Sequence, residues 1–391
     1  MTHAIGCRLS APGIICSLGI RHEDVVDALR SGQRGLSVTE AFTPGRPLPL
    51  GQVNVTLPST EGWPEDHKSR NNQLIAATLD ALGDALPATL KRFAPERIGV
   101  VMGTSTSGVL ETERAIARTG PGNDFDDEYR YTRQELGAPA KFIAERLALT
   151  GPAWTLSTAC SSGARALAAA RRLLLSGQCD AVIAGGADSL CGLTVNGFAS
   201  LEAVSDAPCQ PCSANRRGIN IGEAAALFIV TREPGGIQLT GYGESSDAHH
   251  ISAPDPEGRG AAKAMRDALS MAKLPPDAIG YLNLHGTATE HNDVMEARAV
   301  HAVFTDSLPA SSSTKSLTGH TLGAAGALEA AFCWLALEHG FLPRHVFDGN
   351  YDPALPPLPL VSKPHDGVVQ RALSNSFAFG GNNIALLLER T

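Results

Sequence analysis

The sequence lacks several features that would place it in common classes of protein. Its 391 residues include only eight cysteines, which does not suggest a disulfide framework. The net charge of −8 gives no electrostatic reason to expect a nucleic acid as partner. No apolar run reaches membrane-spanning length, and the first residues lack the basic start and long apolar core of a signal peptide. We therefore expect a protein of the reducing cytoplasm that is not embedded in a membrane.

Motifs of several enzyme classes are missing as well. There is no phosphate loop of the form G-x-x-x-x-G-K-[ST], and GYGESS does not complete G-x-G-x-x-G, which disfavours a nucleotide-binding enzyme. The stretch GTSTSG at 103–108 misses the G-x-S-x-G spacing of a serine hydrolase. Cys209 and Cys212 form one CxxC pair without a second pair or a nearby histidine pair, so we expect no metal site. A binding module without catalytic activity stays open at this point.

Apolar segments rich in β-forming residues alternate with Ala/Leu-rich segments along the chain. The β-rich segments end at Gly-rich turns, as buried strands of an α/β protein do. Helix-forming sequence covers 71–86 and 261–274, and residues 372–390 resemble two adjacent strands around a Gly-Gly turn. The buried strands are predicted at 97–105, 180–189 and 279–287.

A Pro-Gly-Gly break within 231–243 divides the chain into two comparable stretches, 1–233 and 234–391. Each stretch contains one turn of small residues that leads into an Ala-rich helix: TACSSGA at 158–164 and TGHTLGAAGA at 318–327. The similarity lies in the architecture rather than in matching residues. It indicates an internal duplication with two α/β halves.

Cys160 lies in the first of these turns, at the predicted start of a helix that ends near Gly177. Unpaired backbone N–H groups and the positive end of the helix dipole meet there, which can lower a thiol pKa from about 8.5 to about 3.5–7.5. The same N–H groups could hold a developing oxyanion. A buried, unreactive cysteine among alanines is the alternative that this stretch leaves open.

Two histidines follow in the second stretch. His285 comes directly after a predicted strand, where α/β sheets present site residues, although a structural histidine would explain it about as well. His320 is surrounded by glycines that allow close approach of a ligand or a neighbouring element. Lys315 lies five residues before it and Glu329 nine residues after it, and we expect these two charges to form a buried pair.

With these residues in place, the chain resembles the β-ketoacyl-acyl carrier protein synthases, which are condensing enzymes of the thiolase fold. The resemblance implies a five-layered α-β-α-β-α core and a Cys-His-His site. Within that class the chain is similar to the divergent bacterial branch of aryl-polyene and related secondary pathways. Glu290 and His291 depart from the family, where a proline commonly follows HGTxT. The motifs are TACSSGA, NRRGINIGEAAAL, HGTATEHND, KSLTGHTLGAAGALE and NSFAFGGNN.

The resemblance also implies a two-step reaction. Cys160 would accept the acyl group of an acyl-carrier protein, with the backbone N–H groups of Cys160 and Phe379 as oxyanion hole. Malonyl-carrier protein would then lose carbon dioxide, and uncharged His285 and His320 would stabilise the enolate by donating N–H bonds. Lys315 and Glu329 would orient His320.

Further roles follow from matching positions. Thr287 and Thr289 would hydrogen-bond the pantetheine arm, and Phe377 and Phe379 would gate the acyl pocket. Thr106 matches a pocket-lining position, with core packing as the alternative.

The expected partners are an acidic carrier protein and a second ketosynthase-type subunit, in a homodimer or a heterodimer. Lys68 and Arg70 in HKSR are the candidate docking residues, with an ordinary solvated surface as the alternative. We expect no cofactor besides the carrier's phosphopantetheine. An acyltransferase of the same fold and a partner subunit of the chain-length-factor type are the alternative functions. Such subunits usually lack the nucleophilic cysteine that this chain has.

Overall fold

The computed structural model describes residues 6–119, 125 and 129–391, in which helices alternate with strands. The strands are β1 Cys7–Leu9, β2 Gly13–Cys16, β3 Ser37–Thr39, β4 Leu48–Leu50, β5 Ile98–Gly103, β6 Ala153–Leu156, β7 Ala181–Asp188, β8 Ala224–Thr231, β9 Ile237–Ser246, β10 Tyr281–Asn283, β11 Ala310–Ser312, β12 Phe341–Leu342, β13 His365–Asp366, β14 Arg371–Ala378 and β15 Asn382–Arg390. The helices are α1 His22–Ser31, α2 Arg70–Ala81, α3 Ala85–Arg92, α4 Val109–Thr119, α5 Ala138–Arg146, α6 Ser162–Leu175, α7 Gly192–Ser200, α8 Arg259–Ala272, α9 Glu290–Phe304, α10 Lys315–Thr318 and α11 Ala325–His339.

The same strand order occurs twice in the large sheet. One half of the sheet has the order β6-β5-β7-β8-β2 and the other has β11-β10-β14-β15-β9, with β1 joining β8 to β9. In the first half, β5 pairs in parallel with β6 and β7, and β8 pairs antiparallel with β7 and β2. In the second half, β10 pairs in parallel with β11 and β14, and β15 pairs antiparallel with β14 and β9. This repeat agrees with the expected duplication. The boundary at 233/234, in the connection between β8 and β9, stays a prediction.

Helices α6 and α11 lie between the two halves of the sheet and share one apolar core with the strands on either side. A second core packs α2 and α5 against the outer face of β5, β7 and β8. A third core packs α8 and α9 against β14 and β15. The layers therefore follow the expected order α-β-α-β-α.

The two central helices touch through small residues. A Cβ atom on Gly163 would lie 2.9 Å from the Cβ of Ala327, and one on Gly326 would lie 2.7 Å from the Cβ of Ala164. Any side chain at either glycine would force the helices apart. The Ala-rich sequences around these glycines therefore serve close packing of the buried layer.

The strands predicted from the sequence are confirmed as β5, β7 and β10, and the Gly-Gly turn at Gly380 and Gly381 joins the antiparallel pair β14 and β15. The single helix predicted over 71–86 is wrong. Gly83 has a φ of +56°, and the chain forms α2 and α3 on either side of it. Among the described residues, no helix has the length and apolar character that crossing a membrane requires.

Candidate active site

A cavity of about 610 Å³ lies where the two halves meet. Cys160 is contributed by the first half, and His285, His320, Phe377 and Phe379 are contributed by the second. The sulfur of Cys160 and one nitrogen of each imidazole all lie within 4.8 Å of one another. The three residues singled out from the sequence therefore meet at one site.

Cys160 lies in the turn directly before α6. Its neighbour Ala159 has a φ of +51°, and the Thr158 N–H donates to Oγ of Ser162 at 2.9 Å, which fixes the turn. Burial raises the pKa of the Cys160 thiol to about 11 and outweighs the opposing effects of Lys315 and of the backbone N–H groups of Cys160 and Phe379. The lowered thiol pKa predicted from the helix dipole is therefore wrong in direction, because burial of the sulfur disfavours the charged thiolate.

His320 faces the cysteine, with its Nε2 3.0 Å from the Cys160 sulfur. Its other ring nitrogen, Nδ1, accepts the backbone N–H of Leu322 at 3.2 Å. A neutral imidazole with an acceptor at Nδ1 carries its proton on Nε2. Burial, followed by the charge of Lys315, holds the pKa of His320 well below its usual value. The ring is therefore an uncharged N–H donor that points into the cavity.

His285 is arranged in the same way by a different partner. The Nζ of Lys315 lies 3.4 Å from His285 Nδ1 and donates to the His285 carbonyl oxygen at 2.6 Å. An ammonium group can only donate, so His285 also carries its proton on Nε2. Burial, then Lys315 and His320, lower the pKa of His285 well below its usual value. The two rings lie edge to face, with their centroids 5.4 Å apart.

Lys315 and Glu329 form the buried pair that the sequence predicts. Their side chains are 2% and 3% exposed, and the ammonium group hydrogen-bonds a carboxylate oxygen of Glu329. Burial raises the pKa of Glu329 to about 6 against the opposing effect of Lys315. Lys315 was expected to orient His320 and to tune the field around it. Its ammonium group hydrogen-bonds His285 rather than His320, while its charge does lower the pKa of His320.

The sulfur and the two imidazoles have donor atoms that a transition metal could bind, so their surroundings matter. A metal-bound histidine normally donates its second ring N–H to an acceptor. Here the second nitrogens face donors, namely the Leu322 N–H and the Lys315 ammonium group. These neighbours favour rings that donate N–H bonds into the cavity over rings that coordinate a metal.

Two acidic residues that the sequence analysis missed hold the turn around His285. The carboxylate of Glu296 accepts the N–H groups of His285 at 2.8 Å and of Gly286 at 2.7 Å, and burial raises its pKa to about 7. Asp293 accepts the N–H of Ala288 at 3.2 Å. Both lie on the buried side of α9, one helical turn apart. Two acidic residues spaced i, i+3 on a buried helix face were the signal available in the sequence.

Most of the predicted substrate-binding residues line the cavity. Thr287 and Thr289 do so with hydroxyl oxygens 2.8 Å apart, and Phe377 does so with its ring 6.0 Å from that of His285. Phe379 is 36% exposed and lies at the same wall.

The prediction that Thr106 lines the acyl pocket is wrong for this cavity. It is 1% exposed, is not among the cavity-lining residues, and donates its hydroxyl to Asp188 at 2.9 Å. The Asp188 carboxylate holds it in the core, which is the structural alternative considered for this residue.

The two predicted docking residues have partners within the chain. Lys68 pairs with Glu65 at 2.6 Å, and Arg70 Nε donates to the fully buried carboxylate of Glu223 at 2.8 Å. Docking through Arg70 would require breaking that pair, so the structure disfavours it, and docking at this patch stays a prediction. By contrast, Arg217 is exposed where it lines the cavity, and it has no hydrogen-bond or ion-pair partner among the residues that the structure describes.

Comparisons with known proteins agree with this site. The profile "Beta-ketoacyl synthase, N-terminal domain" matches residues 69–234, and "Beta-ketoacyl synthase, C-terminal domain" matches 237–347. The mitochondrial 3-oxoacyl-[acyl-carrier-protein] synthase of Arabidopsis thaliana is 33% identical over 343 residues, which cover 80% of this chain and 73% of that protein.

Two further relatives cover nearly the whole chain. 3-oxoacyl-[acyl-carrier-protein] synthase 2 of Synechocystis is 30% identical, over 97% of this chain and 96% of that protein. The ketosynthase ApeO of Xenorhabdus doucetiae, solved in complex with its chain length factor ApeC, is 45% identical, with a TM-score of 0.94 over 99% of this chain and 98% of that one. The chain belongs to the β-ketoacyl synthase family.

Proposed function

We propose that this chain catalyses the decarboxylative condensation of an acyl group held on Cys160 with malonyl-carrier protein, which gives β-ketoacyl-carrier protein and carbon dioxide. One observation carries the proposal: a single thiol faces two uncharged imidazoles that both present N–H donors to the same cavity. An acyltransferase step needs the thiol and its backbone oxyanion donors but neither imidazole, whereas the two imidazole donors suit the enolate formed by decarboxylation.

In the first step, the Cys160 sulfur attacks the carbonyl carbon of the acyl thioester. The bond from that carbon to the carrier sulfur breaks, and the thiol proton ends on the released carrier thiol. The backbone N–H groups of Cys160 and Phe379, which both act to lower the pKa of the Cys160 thiol, would hold the tetrahedral oxyanion. His320 is not a base in this step, because its Nε2 already carries a proton.

In the second step, the bond between the malonyl α-carbon and its carboxylate breaks. The carboxylate leaves as carbon dioxide, and the electron pair forms an enolate whose oxygen accepts the Nε2–H groups of His285 and His320. Each donor of this kind contributes about 10²–10³ in rate. The enolate carbon then attacks the acyl carbonyl carbon, and the bond from that carbon to the Cys160 sulfur breaks. The departing thiolate takes one proton from solvent, so the condensation consumes one proton overall.

The carrier protein would approach the cavity at Arg217, the exposed cation there that lacks a partner among the described residues. Arg217→Ala should then raise KM for the carrier without changing kcat, whereas a larger rise in KM for Lys68→Ala would favour the docking patch predicted from the sequence. The pantetheine arm would lie along Thr287 and Thr289. No cofactor beyond this arm is proposed, and location in the cytoplasm stays a prediction.

The second protein partner would be a like or related subunit. The ketosynthase ApeO is solved with its chain length factor. In this chain β6 is one of the two end strands of the large sheet and pairs only with β5 among the described strands, which leaves its outer edge for a partner. A purely structural subunit is the weaker alternative, because the thiol and both imidazoles are present.

The test is intact-protein mass spectrometry after incubation with a panel of acyl-carrier proteins. The proposal predicts one acyl mass increment on Cys160, followed by its loss with release of carbon dioxide when malonyl-carrier protein is added. A chain that never gains the increment, or gains it without any later condensation, would contradict the proposal.

A further inference from the structure

Asp188 is a buried carboxylate at the end of β7 that the reaction steps above do not use. It is fully buried, and burial raises its pKa against the opposing effect of its hydrogen-bond donors. Among the described residues, none of its hydrogen-bond partners is a cation; backbone N–H and hydroxyl groups surround it instead. These donors are Thr104 Oγ1, Ser105 N, Thr106 N, Thr106 Oγ1 and Gly323 N.

The two carboxylate oxygens of Asp188 share the Ser105 N–H, which donates to Oδ1 at 2.8 Å and to Oδ2 at 3.0 Å, but only Oδ2 also reaches the second half of the molecule. Oδ1 accepts the Thr104 hydroxyl at 2.6 Å and the Thr106 N–H at 2.9 Å, which fixes the turn after β5. Oδ2 accepts the N–H of Gly323 at 2.6 Å. Asp188 therefore ties the first half of the molecule to the turn that follows His320 in the second half.

The link from Gly323 to the imidazole is short. Gly323 follows Leu322, whose N–H donates to His320 Nδ1 at 3.2 Å. Leu322 has a φ of +51°, a backbone conformation that is unfavourable for a leucine and needs support from its surroundings. The hydrogen bond from Gly323 to Asp188 supplies such support at the next peptide.

We propose that Asp188 is a positioning residue that holds the 321–324 turn so that the Leu322 N–H occupies His320 Nδ1 and keeps the imidazole proton on Nε2, facing Cys160. This inference rests on the proposed function, in which His320 donates that proton to the enolate. It goes further by placing the control of the ring's tautomer in a residue that touches neither substrate nor ring.

Packing around Gly323 supports the same conclusion. A Cβ atom there would lie 2.7 Å from Asp188 Oδ2 and 2.7 Å from the backbone nitrogen of Ser105. Only glycine permits this approach, so the turn lies directly against the carboxylate without space for water between them.

The variant Asp188→Asn tests the inference because an amide has one acceptor and one donor end. Oδ1 of Asp188 accepts more hydrogen bonds than Oδ2, so the amide oxygen of the Asp188→Asn side chain should occupy the Oδ1 position. Its NH₂ group should then face the Gly323 N–H. We expect malonyl decarboxylation to fall about tenfold or more, compared with about 10²–10³ for outright loss of an oxyanion donor. Acylation of Cys160 should stay near the wild-type rate.

A spectroscopic readout separates positioning from general destabilisation. In ¹⁵N NMR, wild-type His320 should show a protonated Nε2 and an unprotonated Nδ1, and Asp188→Asn should show a mixture of tautomers. Thr78→Val is the matched control, because it removes a fully buried hydroxyl of α2 that donates to the Leu74 carbonyl at 2.7 Å, away from the cavity. This control should leave the tautomer and the rate per folded molecule unchanged.

Gly323→Ala breaks the same link from the other side and keeps the test decisive if Asp188→Asn does not fold. It should reproduce the loss of decarboxylation and the mixed tautomers. A folded Asp188→Asn or Gly323→Ala protein with the wild-type tautomer and decarboxylation rate would overturn the inference. Failure of the proposed function would look different, because the wild-type protein itself would then release no carbon dioxide from malonyl-carrier protein, whatever its tautomer.

Discussion

The turn around Cys160 and the turn around His320 have similar backbones but different chemistry. Each precedes one of the two central helices, and each has a non-glycine residue with a φ of 51°, Ala159 in one and Leu322 in the other. The helices that follow meet through reciprocal Gly-Ala contacts. One turn nevertheless presents a thiol and the other an imidazole whose proton position is fixed by a backbone N–H.

Burial shifts the pKa values of the Cys160 thiol and the His320 imidazole in opposite directions, and in both cases it favours the uncharged form. It raises the pKa of the Cys160 thiol and lowers the pKa of His320, so both are uncharged at neutral pH. Burial therefore disfavours a preformed thiolate–imidazolium pair of Cys160 and His320. Charge develops only during the reaction, where the N–H donors are already in place to receive it.

We expect the largest effect from removal of the nucleophilic thiol. Cys160→Ala should lower condensation by about three orders of magnitude or more, because no acyl-enzyme can form. Intact-protein mass spectrometry should show no acyl increment. Persistence of the increment would place the nucleophile at another residue.

We expect the next largest effects from His285→Ala and His320→Ala, each of which removes one imidazole N–H donor from the cavity. Each should slow decarboxylation of malonyl-carrier protein by about 10²–10³ and leave acylation of Cys160 within about tenfold of wild type. Carbon dioxide release and acyl-adduct formation are measured separately on each variant. A variant that loses acylation but keeps decarboxylation would reverse the assignment.

Lys315→Met should destabilise the fold by about 3–5 kcal/mol, because it leaves the Glu329 carboxylate buried without its cation. Urea denaturation measures the change in the free energy of unfolding. The double variant Lys315→Met/Glu329→Leu should recover part of the loss. If the single and double variants were equally stable, the pair would not be coupled.

The last prediction concerns the pH dependence of thiol alkylation and involves no substitution. A thiol whose pKa burial raises to about 11 should react with iodoacetamide about tenfold faster per pH unit between about pH 7 and 10, since the thiolate fraction grows throughout that range. A cysteine activated at rest by its helix would instead reach a plateau near neutral pH. The alkylation rate of Cys160, followed by mass spectrometry, distinguishes the two.

The motif residues could be predicted from the sequence because each lies in a short local motif that is recognisable without knowledge of distant contacts. Cys160, His285 and His320 were identified from local turns, and the buried pair of Lys315 and Glu329 from their positions around His320. The family resemblance implies that Lys315 orients His320, whereas the chain brings its ammonium group to His285, 30 residues away.

What the sequence could not give depends on contacts between distant segments. The thiol pKa follows from closure of the cavity by both halves. Arg70 looked like a free surface charge because its partner, Glu223, lies 153 residues away. Thr106 and Asp188 belong to one hydrogen-bond network that includes Gly323 of the other half, and no local pattern reveals it.

The most direct test of the account compares carbon dioxide release from malonyl-carrier protein by two variants. Cys160→Ala keeps both imidazole donors and should still decarboxylate, whereas His320→Ala keeps the thiol and should be slower by about 10²–10³. If Cys160→Ala were inactive in decarboxylation while His320→Ala matched the wild-type rate, the division of labour between the two turns would be contradicted.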